Sequence, residues 1–550
     1  MRKIVAALVL AVVVLNAACN LNPAVPLEPD DDALLTDLTA RGPTEPMSKI
    51  NRLPPELERR VGALRADLEA EGYEVARGYW RLWTAEDCKY PLRTVGFCYG
   101  NNPTAPYVIA VVPRWSDEFR DRHLQQVILQ AQRNMSVTFR LDEQEALVVL
   151  AEMPPPARYF GSSTNIFTRE TTVNAEDPIY KYLEKLPLLQ NILFATSPNP
   201  SRMMLFSSVG NTTNNVVMER QSESPPWGQL RYFVISPDAG MAGAMTEALV
   251  RAGVPADHVF TEPVSPDLVN VGLGPEADDF ITYIRYALPE PGYEVAGEQW
   301  RERLPLTILR VRTTSGEPNP FPIPAYHEKT ANYDEREHLK GDLQTLIEAV
   351  RARWNQPDAS LGLSFSAHAF LDLVGQHCLG VGSPLENRGP MNCLGDTPDT
   401  DYQINLPLVL LDKGEGQEAD PVIAAVGTLA TATGNATYVS LGVNSFPELV
   451  AVANLSDEDL DGTATRAGFG EVLGENAELF YVYYLARDCS GLDPCLEIST
   501  KLVAVGDQIK LMQRNYINPG SLSGPEPAKL LNPVVVIFDG STRPVEPVPE

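Results

Sequence analysis

The first nineteen residues restrict this 550-residue chain more than any other stretch. Arg2 and Lys3 supply positive charge, residues 4–15 form an unbroken apolar run, and small residues precede Cys19. The run is too short to cross a bilayer, which takes about 20 residues, but it has the length of a signal-peptide core. We therefore predict export, with residues 1–18 as the signal peptide, and interpret the downstream cysteines and charges accordingly.

The end of this leader carries a second pattern. Asn16, Ala17 and Ala18 stand directly before Cys19, which resembles the lipobox of bacterial lipoproteins. The resemblance implies diacylglycerol on the Cys19 thiol, cleavage before Cys19 and acylation of the new amino group. Asn16 departs from the family pattern, which has an aliphatic residue at this position. The alternative is an ordinary secretory signal cut after Ala18. Asn20 follows Cys19, and by the rule known for such lipoproteins this favours the outer membrane.

Residues 19–47 are acidic, rich in proline and without periodicity, so we expect a lipid-anchored disordered tether. Two or more acyl chains would anchor the chain stably to the membrane. No later segment has 18 consecutive apolar residues, so no second span is expected. The expected location is the cell envelope, with the membrane as a partner through the lipid and an envelope protein or glycan as a further one.

The formal net charge of −28 bears on the partners. An acidic surface repels phosphate backbones, so nucleic acid is not expected to bind. The same charge is typical of a soluble exported surface, and the alternative is cation binding. No cofactor is expected, apart from a possible Ca²⁺ ion.

Six cysteines remain after Cys19, an even number that in an exported chain indicates disulfides. They fall into three local pairs, and proximity favours Cys88 with Cys98, Cys378 with Cys393, and Cys489 with Cys495. Each bond would close a short loop. A metal site is the alternative, but no Cys-x-x-Cys spacing occurs.

The length favours two domains. We predict an α+β fold: an α+β domain at 48–330 with a β-α-β element, a connecting helix at 331–355, a mostly antiparallel sandwich or barrel-like β domain at 356–540, and a tail at 541–550. The many prolines favour loops and edge strands over long helices. No internal repeat of fixed period is evident.

Local patterns fill in the first predicted domain. Apolar spacing predicts a helix from Pro54 to Gly72. Residues 230–264 read as strand, helix and strand, with Asp238 as the helix cap. Residues 135–141 alternate in polarity and, with 146–151, suggest a hairpin.

The compact Ser/His/Asp group of the chain is Ser364, His368 and Asp372. These residue types form nucleophile, base and orienting acid in hydrolases. However, Ser364 lies outside a Gly-x-Ser-x-Gly turn. The alternative is a strand with a polar face and a hydrogen-bonded histidine.

Two further patterns suggest binding. Asp457, Asp459 and Asp461, followed by Gly462, match the opening of a calcium loop, but the twelfth position is Gly468 and not glutamate. The alternative is an acidic surface turn. The tyrosine-rich stretch 480–484 suggests either a carbohydrate or peptide platform, or a strand buried on both faces.

These observations favour a lipid-anchored envelope protein with a non-enzymatic binding or structural role. The alternative is an envelope hydrolase with its site in a cleft between the domains. A polar cleft with shifted pKa values would indicate the hydrolase, and an exposed apolar patch would indicate the binding protein.

Overall fold

The computed structural model describes residues 51–544, apart from 89–90, 93–95, 99–101, 103, 121–133, 171–175, 177–180, 182–201, 367–394, 396, 407–408, 415 and 447. The leader, Cys19, the tether, His368, Asp372, Cys378 and Cys393 lie outside these residues. No helix among the residues described is long and apolar enough to cross a membrane.

The first half of the chain builds one mixed sheet. Its strands are β1 (Glu74–Leu82), β2 (Tyr107–Pro113), β3 (Met135–Ser136), β4 (Glu145–Glu152), β5 (Ala157–Glu170), β6 (Arg202–Ser208), β7 (Thr213–Asn214), β8 (Leu230–Ser236), β9 (Val259–Pro263), β10 (Asp279–Pro289) and β11 (Leu306–Arg312).

The second half of the chain builds a second mixed sheet. Its strands are β12 (Ser360–Ser366), β13 (Thr400–Leu406), β14 (Val409–Leu410), β15 (Val422–Thr428), β16 (Tyr438–Phe446), β17 (Ala451–Ser456), β18 (Phe480–Ala486), β19 (Cys495–Glu497), β20 (Gln508–Tyr516) and β21 (Val534–Phe538).

Helices flank both sheets. They are α1 (Pro55–Ala70), α2 (Asn215–Ser222), α3 (Ala239–Arg251), α4 (Glu294–Arg303), α5 (Glu335–His338), α6 (Lys340–Arg353), α7 (Asp457–Leu460), α8 (Thr463–Arg466) and α9 (Gly470–Leu473). Both sheets curl into half-barrels, which confirms the predicted α+β fold with barrel-like β structure.

The two sheets have the same topology. The first runs β6-β5-β10-β2-β1-β11-β4-β8-β9, and the second runs β17-β16-β20-β13-β12-β21-β15-β18-β19. When the two paths are aligned position by position, the matched strands also follow the same order along the two halves, from β1 with β12 and β2 with β13 to β11 with β21. In both sheets the final pair is parallel, and the other pairs along these paths are antiparallel. The second half therefore repeats the strand arrangement of the first, although the sequence shows no fixed period.

Much of each sheet is buried on both faces. In β4, Leu147 and Val149 face one core while Ala146 and Val148 face another. Alternate side chains of a strand point to opposite faces, so a strand between two cores is apolar throughout. The outer core of the first sheet is covered by α1 and α3, and that of the second by α6.

The predicted first helix is confirmed. Pro54 and Pro55 fit the first turn, where backbone N–H groups need no helical partner. Leu57, Val61, Leu64 and Leu68 form its buried stripe, and Gly72 follows in a left-handed conformation that glycine tolerates.

The β-α-β element is also confirmed. Asp238 caps α3 by accepting a hydrogen bond from the Met241 backbone N–H at 2.7 Å. β8, which precedes α3, and β9, which follows it, pair in parallel.

The predicted hairpin is wrong. Met135–Ser136 pairs with β2, whereas β4 pairs with β11 and β8. The alternation identified strand-forming residues correctly, but the partner of each strand was decided by distant parts of the sheet.

The predicted connecting helix is two helices that belong to the second half. Asp334 caps α5 through the Glu337 backbone N–H at 3.1 Å, and the helix stops at Leu339 before α6 begins. The apolar side of α6 packs on the second sheet, as α1 packs on the first. Neither helix is a free spacer.

Candidate functional site

The contact between the two halves gathers several buried titratable groups whose pKa values are shifted. We call this contact the seam. Its centre holds Tyr107 and Arg285 from the first half and Tyr402 and Arg514 from the second. Arg285 lies opposite Tyr107 in the β2–β10 pair, and Arg514 lies opposite Tyr402 in the β13–β20 pair. The seam is thus built from strands that occupy matching places in the two sheets.

Arg285 is a buried cation surrounded by phenol groups. It donates hydrogen bonds to the hydroxyl of Tyr402 at 3.2 Å and to that of Tyr283 at 3.1 Å. Its guanidinium also lies 5.2 Å from the ring centre of Tyr107. Cation–π contacts and neutral acceptors hold a planar guanidinium where water is excluded. Through its hydrogen bond to Tyr402, Arg285 therefore links the first half to the second.

Asp399 is the carboxyl group of the seam and is fully buried. Tyr159 donates to one carboxylate oxygen at 3.0 Å, and Asn214 donates to the other at 2.9 Å. Burial raises the pKa of Asp399 to about 7, and the hydrogen bonds from Asn214 and Tyr159 oppose that rise. The charges of Arg285 and Lys329 oppose it further. The group therefore titrates near neutral pH.

A second buried carboxyl lies within the first sheet. Glu262 accepts hydrogen bonds from the Thr164 backbone N–H at 2.7 Å and from the Thr164 hydroxyl at 3.2 Å. Burial raises the pKa of Glu262 to about 7, and the two bonds from Thr164 oppose the rise. Its position on β9 links the edge of the sheet to β5.

An ion cluster fills another part of this half. Arg310 bonds Glu118 at 2.8 Å and Glu145 at 2.6 Å, and all three side chains are shielded from solvent. Trp115 donates its indole N–H to Glu145 at 2.9 Å. Such fully paired buried charges fix geometry, because removing one partner leaves an uncompensated charge.

No family model matches this chain, and no curated protein is similar to it. Among solved structures, an uncharacterised protein from Burkholderia cenocepacia aligns over 93% of this chain and 95% of that chain, at 10% identity and a TM-score of 0.35. At that score the two chains need not share a fold, so the similarity gives no information about activity.

The predicted catalytic group is described only at Ser364. This residue lies on β12, and His368 and Asp372 fall outside the described residues. Its neighbour Ser366 donates to the Asp401 carboxylate at 2.6 Å within the second sheet. Ser364, His368 and Asp372 therefore stay a prediction.

The predicted calcium turn uses its carboxylates locally. Asp459 accepts from the backbone N–H and the hydroxyl of Ser456 as part of a capping box. Asp457 accepts from the Val439 backbone N–H at 3.3 Å, and burial raises its pKa to about 6. Asp461 is exposed. Within the described parts of the chain, no group of three or more His, Cys, Asp or Glu side chains is arranged to hold a metal ion.

The tyrosine-rich strand is a core strand. Phe480, Tyr481 and Tyr484 on β18 are buried, and Tyr481 donates to the Gln513 side chain at 2.6 Å. The platform interpretation is therefore wrong, because the sheet is covered on both faces here.

Two predicted disulfides are confirmed. Cys88 is bonded to Cys98, and Cys489 is bonded to Cys495. The pairing of Cys378 with Cys393 stays a prediction.

A surface feature lies on the second half. Leu361 and Leu363 of β12 are 38% and 62% exposed on the same face of the strand. At the start of β12 and the end of β21 is a separate shallow cavity of about 400 Å³ lined by Gln356, Ser360, Ile537 and Asp539 among others. We call Leu361, Leu363 and this cavity the β12 surface.

The seam was not predicted from the sequence. Tyr159, Asn214 and Asp399 are far apart in the chain and are brought together only by the two sheets. A signal did exist: the pattern Cys-x-Gly-x-x-Pro-x-x-x-Tyr occurs at 98–107 and again at 393–402. Its final tyrosines are Tyr107 and Tyr402, both in the seam.

Proposed function

We propose that this chain is a lipid-anchored cell-envelope protein whose folded part has a non-enzymatic binding role at the membrane surface. The leader supports the anchor, since Cys19 follows a signal-peptide core and a lipobox-like sequence. The two disulfides support an oxidising compartment, where such bonds persist. The acidic composition disfavours nucleic acid as the partner.

The single observation that carries the binding role is the β12 surface. Leu361 and Leu363 expose apolar area on a strand face, where a folded protein usually places a polar or covered side chain. The cavity at the start of β12 is open and bordered by Gln356 and Asp539, so groups for hydrogen bonding are also available at this strand. Such a mixture suits an envelope protein as the partner.

The buried carboxyls favour binding over hydrolysis. Asp399 and Glu262 have the raised pKa values that acid–base catalysts show. Yet both are enclosed, and their oxygens accept hydrogen bonds from this chain's own groups. A hydrolytic acid or base has to reach a substrate proton. Their enclosure supports a structural role for both groups.

The anchor is tested with Cys19→Ala in the native host. The protein should move from the membrane fraction to the soluble periplasmic or secreted fraction, because the acylated thiol is gone. The matched control is Cys489→Ser with Cys495→Ser, which removes two other cysteines and should leave the membrane fraction unchanged. Retention of Cys19→Ala in the membrane would refute lipid anchoring at this residue.

The binding role is tested by placing a photo-cross-linking amino acid at position 363 in cells. We expect a discrete adduct with one envelope protein, lost when Leu361→Asp is added. The matched control is position 295, where Val295 is also highly exposed but lies in the first half. Equal adducts from both positions, or none from position 363, would refute the β12 surface as the binding site.

A further inference from the structure

We infer that the two halves are copies of one structural unit and that they bind each other as the subunits of a twofold-symmetric dimer do. The kind of partner that each seam surface fits is therefore a second copy of the same unit. In such an isologous interface, if residue i of one copy contacts residue j of the other, then j of the first contacts i of the second. The residues of the seam can be checked against that rule.

The strand registers give the correspondence between the halves. Arg285 lies opposite Tyr107, and Arg514 lies opposite Tyr402, in strands that match by sheet order. In each half the arginine also stacks on that tyrosine, at 5.2 Å and 5.8 Å from the ring centre. Tyr107 thus corresponds to Tyr402.

This correspondence extends to both sides of the pair. Three residues before the two tyrosines stand Thr104 and Asp399. On the matching strands β5 and β16, Arg285 lies opposite Gly161 and Arg514 lies opposite Ser440. Two residues before these stand Tyr159 and Tyr438, which therefore also correspond.

One pair of hydrogen bonds across the seam is reciprocal. Tyr159 of the first half bonds Asp399 of the second at 3.0 Å. Tyr438 of the second half bonds Thr104 of the first at 2.6 Å. In each bond, a tyrosine of one half contacts the residue that lies three positions before Tyr107 or Tyr402 in the other half. An isologous interface requires this reciprocity.

An asparagine supports each of these bonds. Asn214 donates to Asp399 at 2.9 Å, and Asn454 donates to Thr104 at 2.8 Å. Each asparagine lies in the half that also supplies the tyrosine. The two asparagines do not occupy matching register positions, since Asn214 lies opposite Gly161 and Asn454 lies opposite Gly442, so only the type of supporting side chain recurs at the two ends.

The backbone repeats as well. Leu288 and Ile517 follow Ala287 and Tyr516, which lie opposite Tyr159 and Tyr438. Both Leu288 and Ile517 have positive φ, at 52° and 33°. Bulky residues rarely adopt this region. Its recurrence at one place in both halves fits a shared ancestry better than coincidence.

The test exchanges the two groups that differ between the ends of the seam. The full-length chain is compared as wild type, as Asp399→Thr, and as Asp399→Thr with Thr104→Asp. Unfolding by urea is measured at pH 5 and pH 8. A buried carboxyl with one proton to lose changes the unfolding equilibrium by up to about tenfold per pH unit.

Asp399→Thr should lose the part of the pH dependence that this carboxyl supplies. The exchange should regain a smaller part of it. Tyr438 and Asn454 contact position 104 as Tyr159 and Asn214 contact Asp399, but Thr104 is only half-buried and Arg301 donates to its backbone carbonyl. An exchange variant that matches Asp399→Thr at both pH values would overturn the inference. So would an exchange variant that fails to fold while Asp399→Thr folds.

A second measurement does not depend on either substitution. A protease site is inserted between His327 and Glu328, because residues 319–327 bond the first half and Glu328 bonds the second, and the full-length protein is cleaved after folding. Two units held as a dimer should elute together from a sizing column at micromolar concentration and separate only in denaturant. Elution as two separate pieces without denaturant would overturn the inference.

Discussion

Tyr159 in the first half donates its hydroxyl hydrogen to the carboxylate of Asp399 in the second half at 3.0 Å. Burial raises the pKa of Asp399 to about 7, far above the ordinary value near 4. Between those two pH values the folded protein keeps a proton that the unfolded chain has released. The free energy of unfolding should therefore fall as the pH rises from about 4 to about 7, and then level off.

Asp399→Asn should remove this dependence, since an amide does not titrate. At pH 4 the variant should match the wild type closely, and at pH 8 it should be more stable by on the order of 2 kcal/mol. Urea unfolding at pH 4, 6 and 8 measures the difference. Glu262→Gln is the comparison, because Glu262 has a similar pKa but lies away from the seam. This variant should keep the part of the pH dependence that Asp399 supplies. A variant whose curve runs parallel to the wild type would show that Asp399 is not the titrating group.

Arg310→Leu should destabilise the first half strongly. The substitution leaves Glu118 and Glu145 buried without their cation. Loss of one partner from a buried ion cluster costs about 3–5 kcal/mol. The control is Arg65→Leu on α1, where the arginine side chain is 48% exposed and little change is expected. Equal unfolding midpoints for the two variants would contradict the structural role of the cluster.

The two described disulfides should differ in their access to reductant. Cys88 and Cys98 are buried, whereas Cys489 and Cys495 are half-buried. Brief treatment of the native protein with dithiothreitol and iodoacetamide should label Cys489 and Cys495 first, as peptide mass mapping would show. By the chain-entropy account, loss of either bond costs about 2–3 kcal/mol. Labelling of Cys88 at the same rate would contradict the burial order.

Unreduced peptide mapping also tests the third predicted bond. The repeated sequence pattern places Cys393 in correspondence with Cys98, which is bonded to the preceding cysteine in its half. We therefore expect a peptide that links Cys378 to Cys393. A link from either one to another cysteine would contradict both the proximity argument and the correspondence.

Asp459→Ala should cost about 1 kcal/mol, because it removes the capping box at Ser456. Asp461→Ala should cost little, since that side chain is exposed. Thermal unfolding of the wild type should be the same in CaCl₂ and in chelator. A calcium-dependent stabilisation that both substitutions abolish would instead establish the calcium site suggested by the sequence.

Local patterns predicted the parts of this fold that local forces decide. The apolar stripe of α1 lies on one face of a single helix, and the cap of α3 lies within its first turn, so spacing along the chain identified both. The partner of a strand is not local information, and β4 pairs with β11, which is over 150 residues away. The role of Asp399 is likewise not local information, because its burial depends on Tyr159 and Asn214 from the other half.

Thr104 and Asp399 show what becomes possible when two like units share one polypeptide. In a homodimer a single gene encodes both sides of the interface, so any substitution appears twice and has to suit both positions. A fused pair has no such constraint, and each side is free to diverge. Here one side carries a threonine hydroxyl while the other carries an ionisable acid, so the covalent linkage lets the two ends of the interface respond differently to proton concentration.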